Sequence, residues 1–95
     1  MQLITAVVAP SRIGAVLRGL RTYGVRGWNL STVYALCRPS DAQVRLELVA
    51  ANADADDVVR IIVRAATPAK TPVWVTPVDH VVRIRTGEFG PDAVL

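Results

Sequence analysis

Residue types that support redox and acid–base chemistry are scarce in this chain. Its 95 residues include one cysteine, Cys37, and one histidine, His80. A single cysteine excludes an internal disulfide framework and a zinc site built from cysteines. A single histidine leaves few routes to acid–base catalysis near neutral pH. Since no Ser–His–Asp or Cys–His arrangement can be assembled, we predict no catalytic residues, no bound metal and no enzyme activity.

Long apolar runs are also missing. No stretch approaches the roughly 18 residues needed to cross a bilayer. The N-terminal Met-Gln-Leu-Ile-Thr lacks the basic region and cleavage site of an export signal. We therefore expect a cytoplasmic chain without membrane insertion. Disorder is excluded because 52% of the residues are hydrophobic and 20% are charged, and this length suits one domain over residues 1–95.

Lysine is rare among the basic residues. Lys70 is the one lysine, the other ten basic residues are arginines, and the formal net charge is +3. The planar guanidinium fork suits phosphate or carboxylate ligands, although a codon bias toward arginine would give the same composition. Because the basic residues form no clustered run and acidic residues lie between them, we do not expect nucleic-acid binding.

Strands are predicted where apolar residues run together or alternate with polar ones. Two such segments form a hairpin, with the proline-bearing stretch 38–42 as its turn. The predicted strands are residues 3–9, 29–37, 44–48 and 73–75, and another alternating segment lies at 81–85 within the C-terminal extension 78–95.

Two helices are predicted from apolar residues at helical spacing. Ser11 is the expected N-cap of the first helix, and Gly24 its expected left-handed C-cap. The second helix begins near Asn52, where aspartates suit the positive end of the helix dipole, and two prolines make residues 67–72 a loop. The apolar stripes are Ile13, Val16, Leu17 and Leu20 in the first helix and Val58, Ile61, Ile62 and Ala65 in the second.

The resulting order, βαββαβ with a C-terminal extension, predicts a ferredoxin-like α+β fold with both helices on one face of an antiparallel sheet. The strands are nevertheless apolar on both sides, since Leu3 and Val7 alternate with Ile4 and Val8. A monomer would leave the second face in water and would forgo a stabilisation of about 25 cal/mol for each Å² of apolar surface left unburied. We therefore predict that other copies of the chain cover this face.

Three segments carry a resemblance to a known family. Residues 3–10 are Leu-Ile-Thr-Ala-Val-Val-Ala-Pro, residues 24–29 are Gly-Val-Arg-Gly-Trp-Asn, and residues 81–88 are Val-Val-Arg-Ile-Arg-Thr-Gly-Glu. They resemble the apolar first strand, the G-V-x-G-M-T turn and the V-V-R-I-R-T-G-E signature of the PII nitrogen-regulatory signalling proteins. The resemblance implies a ferredoxin-like homotrimer that binds nucleotides in the clefts between subunits and acts on a regulated partner protein.

Three other segments depart from the family. The long T-loop between the second and third strands is missing, which excludes its covalent modification and argues against plugging of an ammonium channel. The family's G-F-G-R-Q is Ala-Leu-Cys-Arg-Pro at residues 35–39, so Arg38 is retained and the glutamine that helps hold Mg²⁺ and 2-oxoglutarate is lost. The phosphate loop T-G-K-I-G-D-G-K is replaced by Thr-Pro-Ala-Lys-Thr-Pro at 67–72, where prolines remove backbone donors and Lys70 remains as a cation.

The resemblance also implies which residues bind the ligand. Arg83 and Arg85 lie two positions apart on an extended segment and therefore project to one face, as an anion clamp would require. The alternative for this pair is a solvated edge strand, or an ion pair with Glu47 or Glu88. The other candidates are Arg38, Lys70, Asn29 and Gly27.

Each remaining candidate has a structural alternative as well. Lys70 could be an exposed loop lysine, Asn29 a turn residue, and the tryptophans core or interface residues rather than base-stacking ones. The expected ligand is a small anion, with ATP, ADP or AMP as the candidates that the family suggests. The competing hypothesis is a structural or protein-binding trimer whose nucleotide site has decayed, which the rebuilt loop 67–72 favours.

Overall fold

A computed structural model describes residues 1–35, 38–67 and 73–79 of the chain. These residues form four strands and two helices in the predicted order. Predictions for residues 36–37, 68–72 and 80–95 lie outside the described residues. The elements are β1 (Gln2–Val8), α1 (Pro10–Tyr23), β2 (Asn29–Ala35), β3 (Arg38–Ala50), α2 (Asn52–Ala66) and β4 (Val73–Pro77).

The strands form one antiparallel sheet in the order β2-β3-β1-β4. The first strand therefore lies inside the sheet, where Gln2 pairs with Ala50 on one side and with Pro77 on the other. The predicted ferredoxin-like α+β fold is confirmed by this order and by the packing of both helices on the same side of the sheet.

The first helix begins two residues earlier than the sequence predicts. Ala9, in an extended conformation, is its N-cap, and no side chain caps the helix there. Ser11 as the N-cap is therefore wrong: Pro10 opens the helix because its fixed φ angle suits the first turn and its missing N–H needs no partner there. The predicted C-cap is confirmed, since Gly24 has a φ of 116° and its N–H donates to the carbonyls of Leu20 and Arg21.

The second helix begins where the aspartates predict. The carbonyl of Ala51 accepts hydrogen bonds from the N–H groups of Asp54 and Ala55 at 2.9 and 3.1 Å. Asp54 lies in the first turn and Arg64 in the last, so both charges oppose the helix dipole favourably.

The predicted turn at residues 38–42 is wrong, because these residues belong to β3. Cross-strand pairing continues past the expected turn, from Val33 with Gln43 to Ala35 with Arg38, and the register shifts between the two pairs. Polar residues and proline can be accommodated at such an irregularity, and the strand continues beyond it. The hairpin is therefore longer than its composition suggests.

The core fills the space between the sheet and the two helices. Alternate residues of β1 and β3 face the helices, and the fully buried members of the predicted helix stripes face the sheet. Val16 and Leu20 of α1 are fully buried, as are Val58 and Ile62 of α2. The buried strand residues are Ile4, Ala6, Val8, Leu46, Leu48 and Ala50.

The opposite side of the sheet has no helix over it among the described residues, and we call it the open face. Directly paired residues lie on the same face of a sheet, so the ladders define its members. They are Leu3, Thr5 and Val7 of β1, Asn29, Ser31 and Val33 of β2, Gln43, Arg45, Glu47 and Val49 of β3, and Trp74 and Thr76 of β4.

Candidate ligand site on the open face

The open face is organised as rows that run across the strands. Asn29, Glu47, Thr5 and Trp74 form a row that crosses all four strands. A second row contains Ser31, Arg45 and Val7, and a third contains Val49, Leu3 and Thr76. Polar groups are thus concentrated on β2 and β3, and apolar side chains lie toward β1 and one end of the sheet.

A cluster of three polar side chains joins two of these rows. The Nε of Arg45 donates to Ser31 Oγ at 3.2 Å and lies 3.4 Å from Glu47 Oε1. The terminal nitrogens of this guanidinium have no hydrogen-bond partner within the described part of the chain. Arg45 can therefore offer its outer donors to a carboxylate or phosphate while Ser31 and Glu47 hold its inner nitrogen.

The ion pair of Arg45 with Glu47 is solvent-accessible. The two side chains are 48% and 33% exposed, and exposed pairs of this kind contribute only about 0–1 kcal/mol. Breaking this ion pair so that Arg45 can bind an anion would therefore cost little free energy. Sequence reasoning considered Glu47 only as a partner of the C-terminal arginines, and the structure pairs it with Arg45.

Asn29 is the candidate that the structure places on this face. It is the first residue of β2, its side chain is exposed, and it lies directly opposite Glu47. Gly27 precedes it in the exposed connection from α1, where a Cβ atom would meet nothing within 4 Å. Steric crowding among the described residues therefore does not account for a glycine at position 27.

The other candidates cannot be placed beside this cluster. Lys70, Arg83 and Arg85 lie outside the described residues, and only the backbone of Arg38 is described, at the start of β3. Arg45 was missed as a candidate from the sequence. The signal that could have found it is the alternation of Arg45 and Glu47 with the core residues of the same strand, which places both charges on the uncovered face.

The two tryptophans have different environments. Trp28 is half-buried against the core, and the guanidinium carbon of Arg21 lies 5.7 Å from its ring centroid. Trp74 is 48% exposed and lies on the open face beside Thr5. Arg21 therefore already occupies a cation–π position at Trp28, whereas the Trp74 ring offers area to a partner.

Residues 1–35, 38–67 and 73–79 contain neither a metal-binding group of side chains nor a membrane-spanning helix. No group of three or more His, Cys, Asp or Glu side chains there could hold a metal ion. Neither α1 nor α2 has the length and apolar character required of a membrane span. His80 lies outside these ranges.

Comparison with known proteins gives a consistent result at the level of sequence. The family model described as Nitrogen regulatory protein P-II matches residues 1–88. A Nitrogen regulatory protein P-II of Cereibacter sphaeroides is 29% identical over 112 aligned positions, which cover 99% of this chain and 100% of the relative. Nitrogen regulatory protein P-II 2 of Methanothermobacter thermautotrophicus is also 29% identical, with 99% of this chain and 97% of the relative covered.

The fold gives the same result. The crystal structure of Arabidopsis thaliana PII bound to citrate superposes with a TM-score of 0.89 and 32% sequence identity. The match covers 98% of this chain and 88% of the plant chain. The likeness thus extends over nearly the whole chain rather than over a shared motif.

Proposed function

The chain belongs to the P-II family of nitrogen regulatory proteins, and on that premise we propose that it is a regulatory homotrimer. Its ligand is a small organic anion, an adenine nucleotide in the first instance, bound in the clefts between subunits. Ligand binding alters a surface that a regulated partner protein contacts. The observation that carries this proposal is the open face, which combines apolar area with an arginine whose outer donors are available.

The trimer is supported by the composition of the open face. Leu3, Val7 and Val49 are only half-buried in the single chain, and Trp74 is 48% exposed. Removing this apolar surface from water would stabilise an assembly by about 25 cal/mol for each Å² that is buried. Contact between identical chains in a closed ring meets that need without leaving a copy of the face exposed.

The anionic ligand is supported by Arg45 and by the plant relative. The contacts of Arg45 with Ser31 and Glu47 both involve its Nε, and its two terminal nitrogens have no partner within the described residues. The plant PII crystal structure contains citrate, itself a small polyanion. Arg38, Lys70, Arg83 and Arg85 remain predicted members of the site, and together with Asn29 and Gly27 they complete the proposed cleft.

The absence of the T-loop is part of the proposal. The alignment with the Cereibacter protein spans 112 positions against 95 residues here, so at least 17 positions (112 − 95) have no residue in this chain. In the fold, β2 ends at Ala35 and β3 begins at Arg38. This spacing supports a regulator without T-loop modification and without channel plugging.

One observation favours the alternative, a structural or protein-binding trimer with a decayed nucleotide site. The carboxylate of Glu47 already neutralises Arg45 at 3.4 Å. If the C-terminal arginines also bind acidic residues at the interface, no cation is left for a ligand. The altered loop at residues 67–72 has the same consequence, since its prolines supply few backbone donors.

Calorimetric titration of the full chain with ATP, ADP and AMP separates the two functions. Binding with micromolar to millimolar affinity is expected, and Arg85→Ala and Arg45→Gln should each weaken it about ten- to a hundredfold, the effect of losing one charge-assisted hydrogen bond. Arg18→Gln, an exposed arginine on the helical layer, is the matched control and should bind as the wild type does.

Light scattering must show an unchanged trimer for each variant. Absence of nucleotide binding at millimolar concentration by a trimeric wild type would favour the structural alternative. Binding that neither arginine affects would place the ligand elsewhere, and a stable monomer would contradict both functions.

A further inference from the structure

The outer side of the helical layer contains a groove that the proposed clefts do not use. It has a volume of about 710 Å³ and runs between α1 and α2. The two helices lie antiparallel, since Tyr23 at the end of α1 contacts Asp54 at the start of α2, while Gly19 faces Ile61 farther along. The groove belongs to a single chain and lies on the layer opposite the open face.

The floor of the groove is apolar, and the two helices approach each other closely at Gly19. Gly19, Ile61 and Ala65 form this floor. A Cβ atom at Gly19 would lie 2.8 Å from Ile61 Cγ2, so any side chain at this position would displace Ile61. Ile61 and Ala65 are only half-buried, which leaves apolar surface accessible to the body of a small molecule.

The walls carry an uneven charge. Both oxygens of Asp57 are occupied, one by the Arg60 guanidinium at 3.3 Å and the other by the Tyr23 hydroxyl at 3.1 Å. Arg64 lines the same groove, is exposed, and has no ion pair or hydrogen bond within the described residues. Arg60 and Arg64 are four positions apart and share one face of α2.

The surrounding helices reinforce this bias. Together α1 and α2 contain five arginines and three aspartates, and the aspartates are confined to the first two turns of α2. The end of the groove next to Arg64 is therefore positive, and the end next to Tyr23 is neutralised. An anionic group would be attracted to the Arg64 end alone.

We propose that this groove is a second ligand site, which takes a small amphipathic organic anion. The apolar body of the ligand packs on Ile61 and Ala65, and its carboxylate, sulfonate or phosphate group binds Arg64 with help from Arg60. The volume lies within the range of about 300–1,000 Å³ that is usual for small-molecule sites. Because the site needs no second subunit, each chain binds one ligand.

Anilinonaphthalene sulfonate, an aromatic anion whose fluorescence rises on binding, is the probe for a titration of the full chain. Saturable binding of one equivalent per chain is expected. Arg64→Gln should weaken it about tenfold or more, since a charge-assisted contact is lost, and Ala65→Phe should abolish it by filling the floor. Arg18→Gln, an arginine on the same layer outside the groove, should leave it unchanged.

Two further measurements locate the probe. The amide resonances of Gly19 and Ala65 should shift on titration, and saturating ATP should not displace the probe. Ala65→Phe is interpreted only if circular dichroism and the oligomer mass are unchanged; the exposed Arg64→Gln decides the question otherwise. Lack of saturable binding, equal affinity in Arg64→Gln, or displacement by ATP would overturn the proposal without affecting the nucleotide site.

Discussion

The phenol of Tyr23 joins the two helices through Asp54. Its hydroxyl lies 3.0 Å from Asp54 Oδ1 and 3.1 Å from Asp57 Oδ2, and its single proton is shared between the two acceptors. Ionisation would place a phenolate against two carboxylates. The hydrogen bond to Asp54, with smaller effects from desolvation and from Asp57, accordingly raises the pKa of Tyr23 from 10.0 to about 12.

A pH-dependent loss of stability follows from this raised pKa. Because the pKa is higher in the folded chain than in the unfolded one, the contribution is fully present below pH 10 and is lost as the pH rises toward about 12. Spectrophotometric titration of Tyr34→Phe, in which Tyr23 is the remaining tyrosine, should show a midpoint near pH 12.

The matched variant for stability is Tyr23→Phe, which keeps the ring and removes the hydroxyl. The free energy of unfolding, measured by urea denaturation, should fall less between pH 10 and 12 in this variant than in the wild type, because the contribution of the Tyr23 hydroxyl is absent. An ordinary titration midpoint in Tyr34→Phe would show that the hydrogen bond to Asp54 is not formed.

Gly19→Ala should destabilise the fold although alanine favours helices. The new methyl group would lie 2.8 Å from Ile61 Cγ2, and overpacking of this kind costs about 1–3 kcal/mol. The gain in helix propensity offsets about 1 kcal/mol at most. Chemical denaturation measures the net change, which should be a lower free energy of unfolding.

Gly14→Ala is the control for this prediction, because its Cβ would meet only the end of the Arg18 side chain at an ordinary 3.5 Å. It should stabilise α1 by about 0.5–1 kcal/mol. Ile61→Leu, which removes the branching methyl, should restore part of the stability of Gly19→Ala. Equal effects of the two glycine substitutions would contradict close packing of the helices at Gly19.

Gly24→Ala should cost about 1–2 kcal/mol, the usual penalty for a Cβ atom in left-handed backbone. Gly24 has a φ of 116°, and its N–H closes the last turn of α1 onto Leu20 and Arg21. Gly27→Ala is the comparison, since Gly24 is the positive-φ glycine of the described residues and position 27 has open space. Thermal unfolding should show a lower midpoint for Gly24→Ala alone.

Val49→Asp should dissociate the proposed trimer. Val49 lies beside Leu3 on the open face, and a carboxylate there would be buried without a partner when the chains associate. Val63→Asp is matched in chemistry but lies on α2, where the valine is 51% exposed. Light scattering should give a monomer for the first variant and a trimer for the second; a trimer in both would place the interface elsewhere.

The order and type of the elements could be predicted because local patterns agreed with the packing. Val16 and Leu20 belong to the predicted stripe of α1 and are fully buried. Gly24 ends that helix because glycine readily adopts the left-handed backbone conformation that the C-cap requires. The alternation of Leu46 and Leu48 with Arg45 and Glu47 correctly separates the core face from the open face.

The two errors have a common physical origin. Ser11 is a good cap by type, but Pro10 fixes the first turn before it. The stretch 38–42 has the composition of a turn, yet ladder hydrogen bonds to β2 retain it in a strand through a register shift. In the first case Pro10, and in the second the pairing with β2, determined the conformation. The preferences of Ser11 and of residues 38–42 themselves do not predict either effect.

The candidate site was predicted less completely than the fold. Asn29 lies on the open face opposite Glu47, and its role in ligand binding stays a prediction. Arg45 became a candidate only when strand pairing placed it beside Ser31 and Glu47. Neither the register of β2 against β3 nor the exposure of the guanidinium is encoded in residue types alone. Arg83, Arg85 and Lys70 stay predictions.

The inner position of β1 has a consequence for how the chain reaches its fold. β1 precedes both of its ladder partners in the chain, and these partners begin at Val44 on one side and Val73 on the other. Such distant pairings form slowly, because the chain must lose the entropy of loop closure before the stabilising contacts between the strands can form. Until β4 docks, an apolar strand exposes a bare hydrogen-bonding edge, the geometry that recruits strands from other molecules. Truncation before residue 73 should therefore promote aggregation more than it lowers helix content.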